Sequence, residues 1–294
     1  MSERAARTES WLDRLLPPSG ESPEVLHQAM RYSLLGGGKR LRPVLCIATS
    51  EMFAAAEGDV MPVACALEMV HTYSLIHDDL PAMDNDDLRR GRPTCHKVYG
   101  EAMAILAGDA LLTRAFGVLA EATSGPDARS NLSARRLRII ERLAMAAGGS
   151  RGMVGGQVID LESEGKALDV EHLDALHAAK TGALLTAAVV TGAIAGGASD
   201  DDIATLERYG RNVGLAFQIA DDVLDVTSTP EQLGKTPGKD AAAAKATYPG
   251  LFGIEASKTR ARHLVDDAIA VVEPFGAGAE RLREIACFVI DRRK

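Results

Sequence analysis

HTYSLIHDDLPAMDNDDLRRGRPT, residues His71 to Thr94, is the stretch around which this chain is organised. Asp78, Asp79, Asp84, Asp86 and Asp87 stand within ten residues, and Arg89, Arg90 and Arg92 follow at once. Just upstream, Ala64, Leu67, Val70, Tyr73, Ser74 and Ile76 spell a largely apolar helix with Glu68 and His71 set into it, so the carboxylates stand at the end of a buried element. Carboxylates gathered in low dielectric raise one another's pKa unless a cation compensates them. An oxygen-only ligand set favours a hard divalent ion, and carboxylates that fill a few corners of an octahedron, leaving the rest to water and phosphate, describe Mg²⁺ better than Ca²⁺. Asp78 and Asp84 are six apart with Pro81 between them, which excludes regular helical stacking. The chain must loop out after Asp79 and bring Asp84 back.

A second cluster lies in GLAFQIADDVLDV, residues 214–226. Asp221 and Asp225 stand at i and i+4, and Asp222 and Asp225 at i and i+3, so the three share one helical face that can clamp metal. Either cluster alone reads equally as an acidic helix end or a solvated loop. Two clusters, each closing an apolar helix and each attended by cations, point to a diphosphate held through metal. The cations are Lys39, Arg40 and Arg42 after Gly36-Gly37-Gly38, Lys180-Thr181 inside an apolar helix, and Lys235 with Lys239-Asp240 in a long loop. GGGKRLRP can cradle an anion between backbone N–H groups and fixed charge, or be a glycine helix end followed by a basic helix start. It lacks the Walker A pattern. Lys180 in apolar surroundings must meet an anion or reach out to solvent.

Composition supplies the bounds. A 294-residue chain with 46% hydrophobic residues can bury a large core, and nothing in it demands a domain boundary, so residues 1–294 read as a single domain. The net charge of −8 argues against nucleic acid. Cys46, Cys65, Cys95 and Cys287 show no CxxC spacing and suit a reducing cytoplasm. MSERAARTESW has no apolar core of a signal peptide. The uncharged run from Thr181 to Ser199 is rich in Gly, Ala and Thr and reads as a tightly packed internal helix, not a membrane span.

Helical patterns follow one another throughout. A short N-terminal helix stops at Pro17-Pro18, and Ser22-Pro23-Glu24 supplies an N-cap and N1 proline for a helix to Leu35. Others run over about 43–56, 60–79, 101–122, 133–147, 170–196, 202–226, 255–273 and 277–291. Ser199 and Asp202 form a capping box for the helix bearing the second cluster. No run of alternating β-branched residues stands out. The stretch 227–250 reads as a lid or binding loop.

In order and spacing, GGGKRLRP, SLIHDDLPAMDNDDLRRGRPT, GGQVIDLESEG, AKTGALL, FQIADDVLDV and LGKTPGKD resemble the trans-isoprenyl diphosphate synthases, and within them the farnesyl-forming members, from about Glu24 to Arg293. The resemblance implies an all-α helical bundle of the isoprenoid synthase type around a central cavity, a homodimer and a requirement for Mg²⁺. It implies that Lys39, Arg42, His71 and Arg90 bind isopentenyl diphosphate, while Arg89, Lys180, Thr181, Gln218 and Lys235 contact an allylic diphosphate. It assigns metal to Asp78, Asp84 and Asp221 with Asp79, Asp222 and Asp225 beside them, and lines the site with Gln157 and Asp160. Asp78, Asp84, Asp221, Lys180 and Lys235 are then the catalytic group. The implied reaction ionises the allylic diphosphate, joins the carbocation to isopentenyl diphosphate, and loses a proton that the departing pyrophosphate can take. Ala178-Ala179 depart from the bulkier residues usual before the lysine.

Other readings are a class I terpene cyclase and a metal phosphohydrolase. Asp221-Asp222-Asp225 together with Lys39 and Arg42 disfavours the first, and the lack of further metal-ligating histidines disfavours the second. Product length rests on the helix before Asp78, where Ser74 and Tyr73 lie about 6–8 Å back along the axis. A helical wheel sets Ser74 closer to the Asp78 direction and Tyr73 well round from it, so spacing alone does not turn Tyr73 into the pocket; its bulk makes it the better floor, and an aromatic residue there resembles the farnesyl-forming pattern. The expected product is C15, with C20, a geranylgeranyl diphosphate synthase, as the alternative.

Overall fold

The computed structural model describes residues 1–121, 130–166, 168–227 and 247–291. Lys235 and Lys239-Asp240 lie outside these residues. The described chain is α-helical apart from one small hairpin. Helices α1 (Ser2–Leu15), α2 (Glu24–Leu34) and α3 (Leu41–Glu51) lead into α4 (Glu57–Asp78), which ends at the first aspartate of the motif. Ser22 does not cap α2. Pro23 itself holds the N-cap position, with φ −81° and ψ 110°, and no side chain bonds the helix start. The proline ring already enforces the φ that the N-cap requires.

The middle of α4, from Val60 to Val70, is buried continuously, as is nearly all of α10 (Ala183–Gly196). A helix apolar all round belongs in the centre of a fold, and the Thr181–Ser199 run is packed there. Its small residues have a use. A Cβ at Gly192 would lie 2.3 Å from the Cys46 carbonyl oxygen, so α3 and α10 touch backbone to backbone there. By length and composition Glu101–Glu121 and Val170–Gly196 could each cross a membrane, with 39% and 72% of their apolar windows buried within the fold.

Around this centre stand α5 (Cys95–Tyr99), α6 (Glu101–Glu121), α7 (Ser130–Ala147) and α8 (Met153–Ser163). Next come α9 (Val170–His177), a π-turn (Ala178–Gly182) and α11 (Asp200–Thr227), then α12 (Tyr248–Phe252), α13 (Ile254–Val272), a 3₁₀ segment (Glu273–Ala279) and α14 (Glu280–Asp291). Helix α4 packs on α6, α10 on α3 and α11, and α11 on α13. The capping box forms as expected: the Asp202 N–H donates to Ser199 Oγ at 3.2 Å, and Ser199 Oγ donates to Asp202 Oδ2 at 2.7 Å.

Three local features depart from the sequence reading. Helix α8 goes unrecognised although Val154, Val158 and Leu161 stand at i, i+4 and i+7, because Gly155-Gly156 lower the helix propensity of the segment; the three apolar residues are exposed. The helix expected over 170–196 runs without interruption from Val170 to Gly196, but its turn at Ala178–Gly182 is π-helical. A hairpin pairs Leu88 with Pro93 and Arg89 with Arg92 through Arg90 and Gly91, both at positive φ (55° and 74°). Two residues with left-handed φ make the tight turn that matches strand twist.

Candidate active site

Helix α4 delivers Asp78 and then unwinds. The Leu80 N–H donates to the His77 carbonyl (3.1 Å), Met83 and Asn85 both return to the Leu80 carbonyl (2.9 and 3.1 Å), and Asn85 takes φ 49°. The Asp84 N–H then donates to the Asp78 carbonyl at 2.8 Å, and the Asp86 N–H to the Asp79 carbonyl at 3.1 Å. The loop and return inferred from Pro81 are thus present, and they set Asp84 beside Asp78. Burial pushes the Asp78 carboxyl up to about 6, with Lys180 opposing and Asp84 adding to the rise. Asp79 turns the other way. It is 3% exposed, and its Oδ1 accepts from both Nε (3.0 Å) and a terminal nitrogen of Arg89, which also lies 3.5 Å from Asp86.

The cation arc is assembled by α3, α4 and the hairpin. Burial lowers the Arg42 guanidinium to about 10 despite Glu68 and Asp221 nearby, and its Nε has no hydrogen-bond partner. Burial, aided by Arg42, Arg90, Arg89 and Arg40, holds the His71 imidazole far below its ordinary range. His71 is therefore a neutral hydrogen-bonding group at neutral pH. Arg90 donates to the Gly37 carbonyl. Its guanidinium lies against Gly38, where φ is 129° and a Cβ would come within 2.5 Å of Arg90 Cζ, so only glycine admits the contact. Lys39 is exposed beside them. Arg40, grouped with these cations on the sequence, belongs elsewhere. Its buried side chain pairs with Glu68 (2.6 Å) and Glu9 (2.7 Å) and donates to the Leu34 carbonyl (2.5 Å), locking α1, α2 and α4 together.

The opposite wall comes from α8, the π-turn and α11. Gln157 donates to Asp78 Oδ1, and three residues along, Asp160 accepts from Lys180 Nζ at 2.6 Å. Helix α8 can come this close because Gly156 has no side chain: a Cβ would sit 2.3 Å from the Lys180 backbone nitrogen. A π-turn widens the helix at this point, a form found disproportionately at functional sites. Thr181 Oγ1 donates to Gln218 Oε1 (2.8 Å), and Gln218 Nε2 donates to Asp222 Oδ1 (2.9 Å). The other Asp222 oxygen accepts the Tyr248 N–H at 3.0 Å. Asp222, expected among the metal ligands, is 6% exposed and committed to protein donors through both oxygens. Asp221 and Asp225 on the same helix are half-buried.

One turn behind Asp78, Tyr73 is buried and meets the His77 ring edge-on at 5.7 Å and 84°. Burial raises its phenol, and the charges of Asp78 and Asp109 add to that. His77 Nε2 lies 3.0 Å from the Ile105 carbonyl oxygen, in a seat that Gly108 leaves on α6. His77 is thereby a packing group between α4 and α6. Ser74 Oγ donates to the His71 carbonyl of its own helix at 2.8 Å. On the Arg89 side of α4 an open cleft is lined by Tyr32, Thr72, Leu75, Asp79, Arg89 and Arg90, among others.

Among the described residues no three Asp, Glu, His or Cys side chains converge closely enough to hold a metal by themselves. The donors at hand are carboxylates, and the raised Asp78 shows a pair with Asp84 that gains from a cation. That set fits a hard divalent ion whose remaining ligands come from water and phosphate oxygens.

A model of the polyprenyl synthetase family matches residues 23–277. The chloroplastic geranylgeranyl pyrophosphate synthase of Catharanthus roseus is 54% identical over 247 residues, covering 84% of this chain and 68% of that protein. Among solved structures, an FPP/GFPP synthase from Zymomonas mobilis superposes with a TM-score of 0.86 at 41% identity, covering 98% of this chain and 96% of the other. A geranyltransferase from Helicobacter pylori, complexed with magnesium and isoprenyl diphosphate, gives a TM-score of 0.84 at 33% identity, covering 98% and 94%.

Proposed function

The chain belongs to the polyprenyl synthetase family, the trans-isoprenyl diphosphate synthases, and is a trans-prenyltransferase; from that premise we propose that it condenses isopentenyl diphosphate with allylic diphosphates and stops at C15, farnesyl diphosphate. The observation that carries the reaction is the polar wall joining the two clusters, Asp78 to Gln157, Asp160 to Lys180 and Thr181 through Gln218 to Asp222, facing the arc of Arg42, His71 and Arg90.

The allylic diphosphate takes the wall of Lys180, Thr181 and Arg89, with Lys235 added from outside the described residues. Asp78, Asp84 and Asp221, with Asp225 beside them, would hold Mg²⁺, which when bound would supply Lewis-acid stabilisation of charge on the leaving group. Asp79 and Asp222 serve as supports. Isopentenyl diphosphate takes Lys39, Arg42 and Arg90, and a neutral His71 adds a hydrogen bond without a further charge. The buried apolar surroundings of α4 exclude water from the cation formed on ionisation. No side chain is assigned as the final base, since the departing pyrophosphate can take the proton that is lost. Exposed Val98, Ile105 and Leu106 on α5 and α6 support a homodimer through this face.

The C15 limit rests on Tyr73, whose ring lies in the field of Asp78 one turn back and packs toward α6. The geranylgeranyl relative favours C20 as a second reading. The test incubates purified enzyme with Mg²⁺, labelled isopentenyl diphosphate and each allylic starter, and separates the dephosphorylated products. Wild type gives C15, and Tyr73→Ala moves the distribution to C20 or beyond at similar turnover. A wild-type C20 product selects the second reading, and a Tyr73→Ala enzyme still stopping at C15 removes Tyr73 as the floor.

A further inference from the structure

Behind the second aspartate cluster lies a buried group that the reaction as drawn leaves unused. His177, last residue of α9, immediately precedes the π-turn that presents Lys180 and Thr181. Its ring stacks on Tyr248 with centroids 5.6 Å apart and planes 20° from parallel. His177 Nε2 lies 3.3 Å from Asp222 Oδ2 and has no aligned hydrogen-bond partner. Tyr248 is fully buried and donates its backbone N–H to the same oxygen. On the far side Arg260 lies 5.4 Å from the Tyr248 ring centroid and pairs with Asp174 at 2.6 Å. Leu173, Leu176, Ile219 and Ala261 complete an apolar shell separate from the main core.

We propose that His177 and Tyr248 are positioning residues for the allylic-diphosphate wall, acting through Asp222. The hydrogen bonds have one polarity: the Tyr248 N–H and the Gln218 amide both donate into the Asp222 carboxylate, and the Thr181 hydroxyl donates into Gln218. Fixing Oδ2 from behind fixes where Oδ1 points, and so fixes the Gln218 amide and Thr181. The same contact ties α12, where the described chain resumes at 247, to the helix that carries Asp221 and Asp225. His177 thus holds the wall from two directions, through the backbone of the π-turn and through Asp222. The arc of Lys39, Arg42 and Arg90, proposed for isopentenyl diphosphate, is carried by other elements, the start of α3 and the hairpin turn.

The inference rests on the trans-prenyltransferase reading, and the test separates the two. His177→Phe keeps the stack on Tyr248 and removes the nitrogen facing Asp222; His177→Gln restores a nitrogen near that position; Tyr248→Leu removes the stack. Expected for His177→Phe and Tyr248→Leu is an allylic-substrate KM raised about tenfold, with that for isopentenyl diphosphate within about twofold of wild type, and recovery in His177→Gln. Inorganic pyrophosphate with Mg²⁺, titrated by calorimetry, should bind His177→Phe more weakly by the same factor. A merely structural role lowers melting temperature and active fraction without moving the ratio of the two KM values. Unchanged constants, or both rising together, in the variants that fold overturn the inference. A wild-type enzyme that fails to condense the substrates overturns the underlying reading instead.

Discussion

In the first aspartate cluster the inward-turned carboxylate is Asp79, held by the Arg89 guanidinium ten residues along the chain. In the second, Asp222 has the same place in its motif and is held by the Gln218 amide and by the Tyr248 N–H, 26 residues away. Both motifs present their first aspartate toward the site and turn the next one inward. They differ in the partner. In the proposed reading Arg89 is itself a cation of the diphosphate wall, so Asp79 would neutralise and aim a substrate-binding group at once. Asp222 accepts from the Gln218 amide and the Tyr248 N–H beside the His177 ring, and its proposed effect is on position. Charge at the first cluster is balanced within one loop, whereas the geometry of the second depends on an element that arrives from far along the sequence.

The largest test asks whether the outward-facing aspartates are equivalent. Asp78→Ala and Asp221→Ala should each lower turnover at saturating Mg²⁺ by about 10²- to 10⁴-fold, since each removes a charge-stabilising contact worth several kcal/mol. Turnover near wild type in one variant alone would mean that one cluster carries the metal and the other only frames it.

A smaller effect separates the inward pair. Asp79→Asn keeps shape and removes the charge that aims Arg89, and should reduce kcat/KM for the allylic substrate by between about tenfold and a hundredfold, more strongly at low ionic strength. Asp222→Ala should give a loss of similar size that salt does not modulate, because no cation is released. Matching salt dependence in the two would dissolve the distinction between a charge partner and a positional one.

Much of the first cluster is legible in the sequence because its wiring is local. Pro81 between Asp78 and Asp84 dictates the loop, and three arginines within a few residues announce the countercharge. The all-α fold is legible for a similar reason: α4, α6 and α11 carry sustained helical patterns, and the Ser199–Asp202 box marks where α11 starts. Arg40 could not be told from Lys39 and Arg42, since its inward course is set by Glu68 and Glu9, from helices that sequence spacing does not bring together. Helix α8 hides because Gly155-Gly156 interrupt the apolar spacing of Val154, Val158 and Leu161, and its useful face is polar, Gln157 and Asp160. The π-turn is invisible to a search for a 3.6-residue period, although a glycine next to Lys180-Thr181 within an apolar helix was a signal. His177 and Tyr248 left none, because nothing in either neighbourhood indicates that residues 71 apart in sequence stack on each other.

The smallest expected effect concerns the unliganded protein and the charge left over at the first cluster. Arg89 balances Asp79, whereas burial raises Asp78 to about 6 from an ordinary value near 3.8, with the Lys180 charge opposing the rise and Asp84 adding to it. A carboxyl raised in the folded state favours folding while protonated. Its contribution is therefore full below about pH 4, falls away as pH rises through 6, and leaves a penalty above that. Asp78→Asn keeps the shape and abolishes the charge. In the absence of divalent metal it should stabilise the fold by about 1–2 kcal/mol at pH 8 and by nothing measurable at pH 4, read as a melting-temperature gain of a few degrees at the higher pH only. Saturating Mg²⁺ with pyrophosphate should reverse the order, because wild type alone regains a partner for the charge. A pH-independent gain would show that Asp78 is not a stored electrostatic cost, and that the first cluster, like the second, is governed by position.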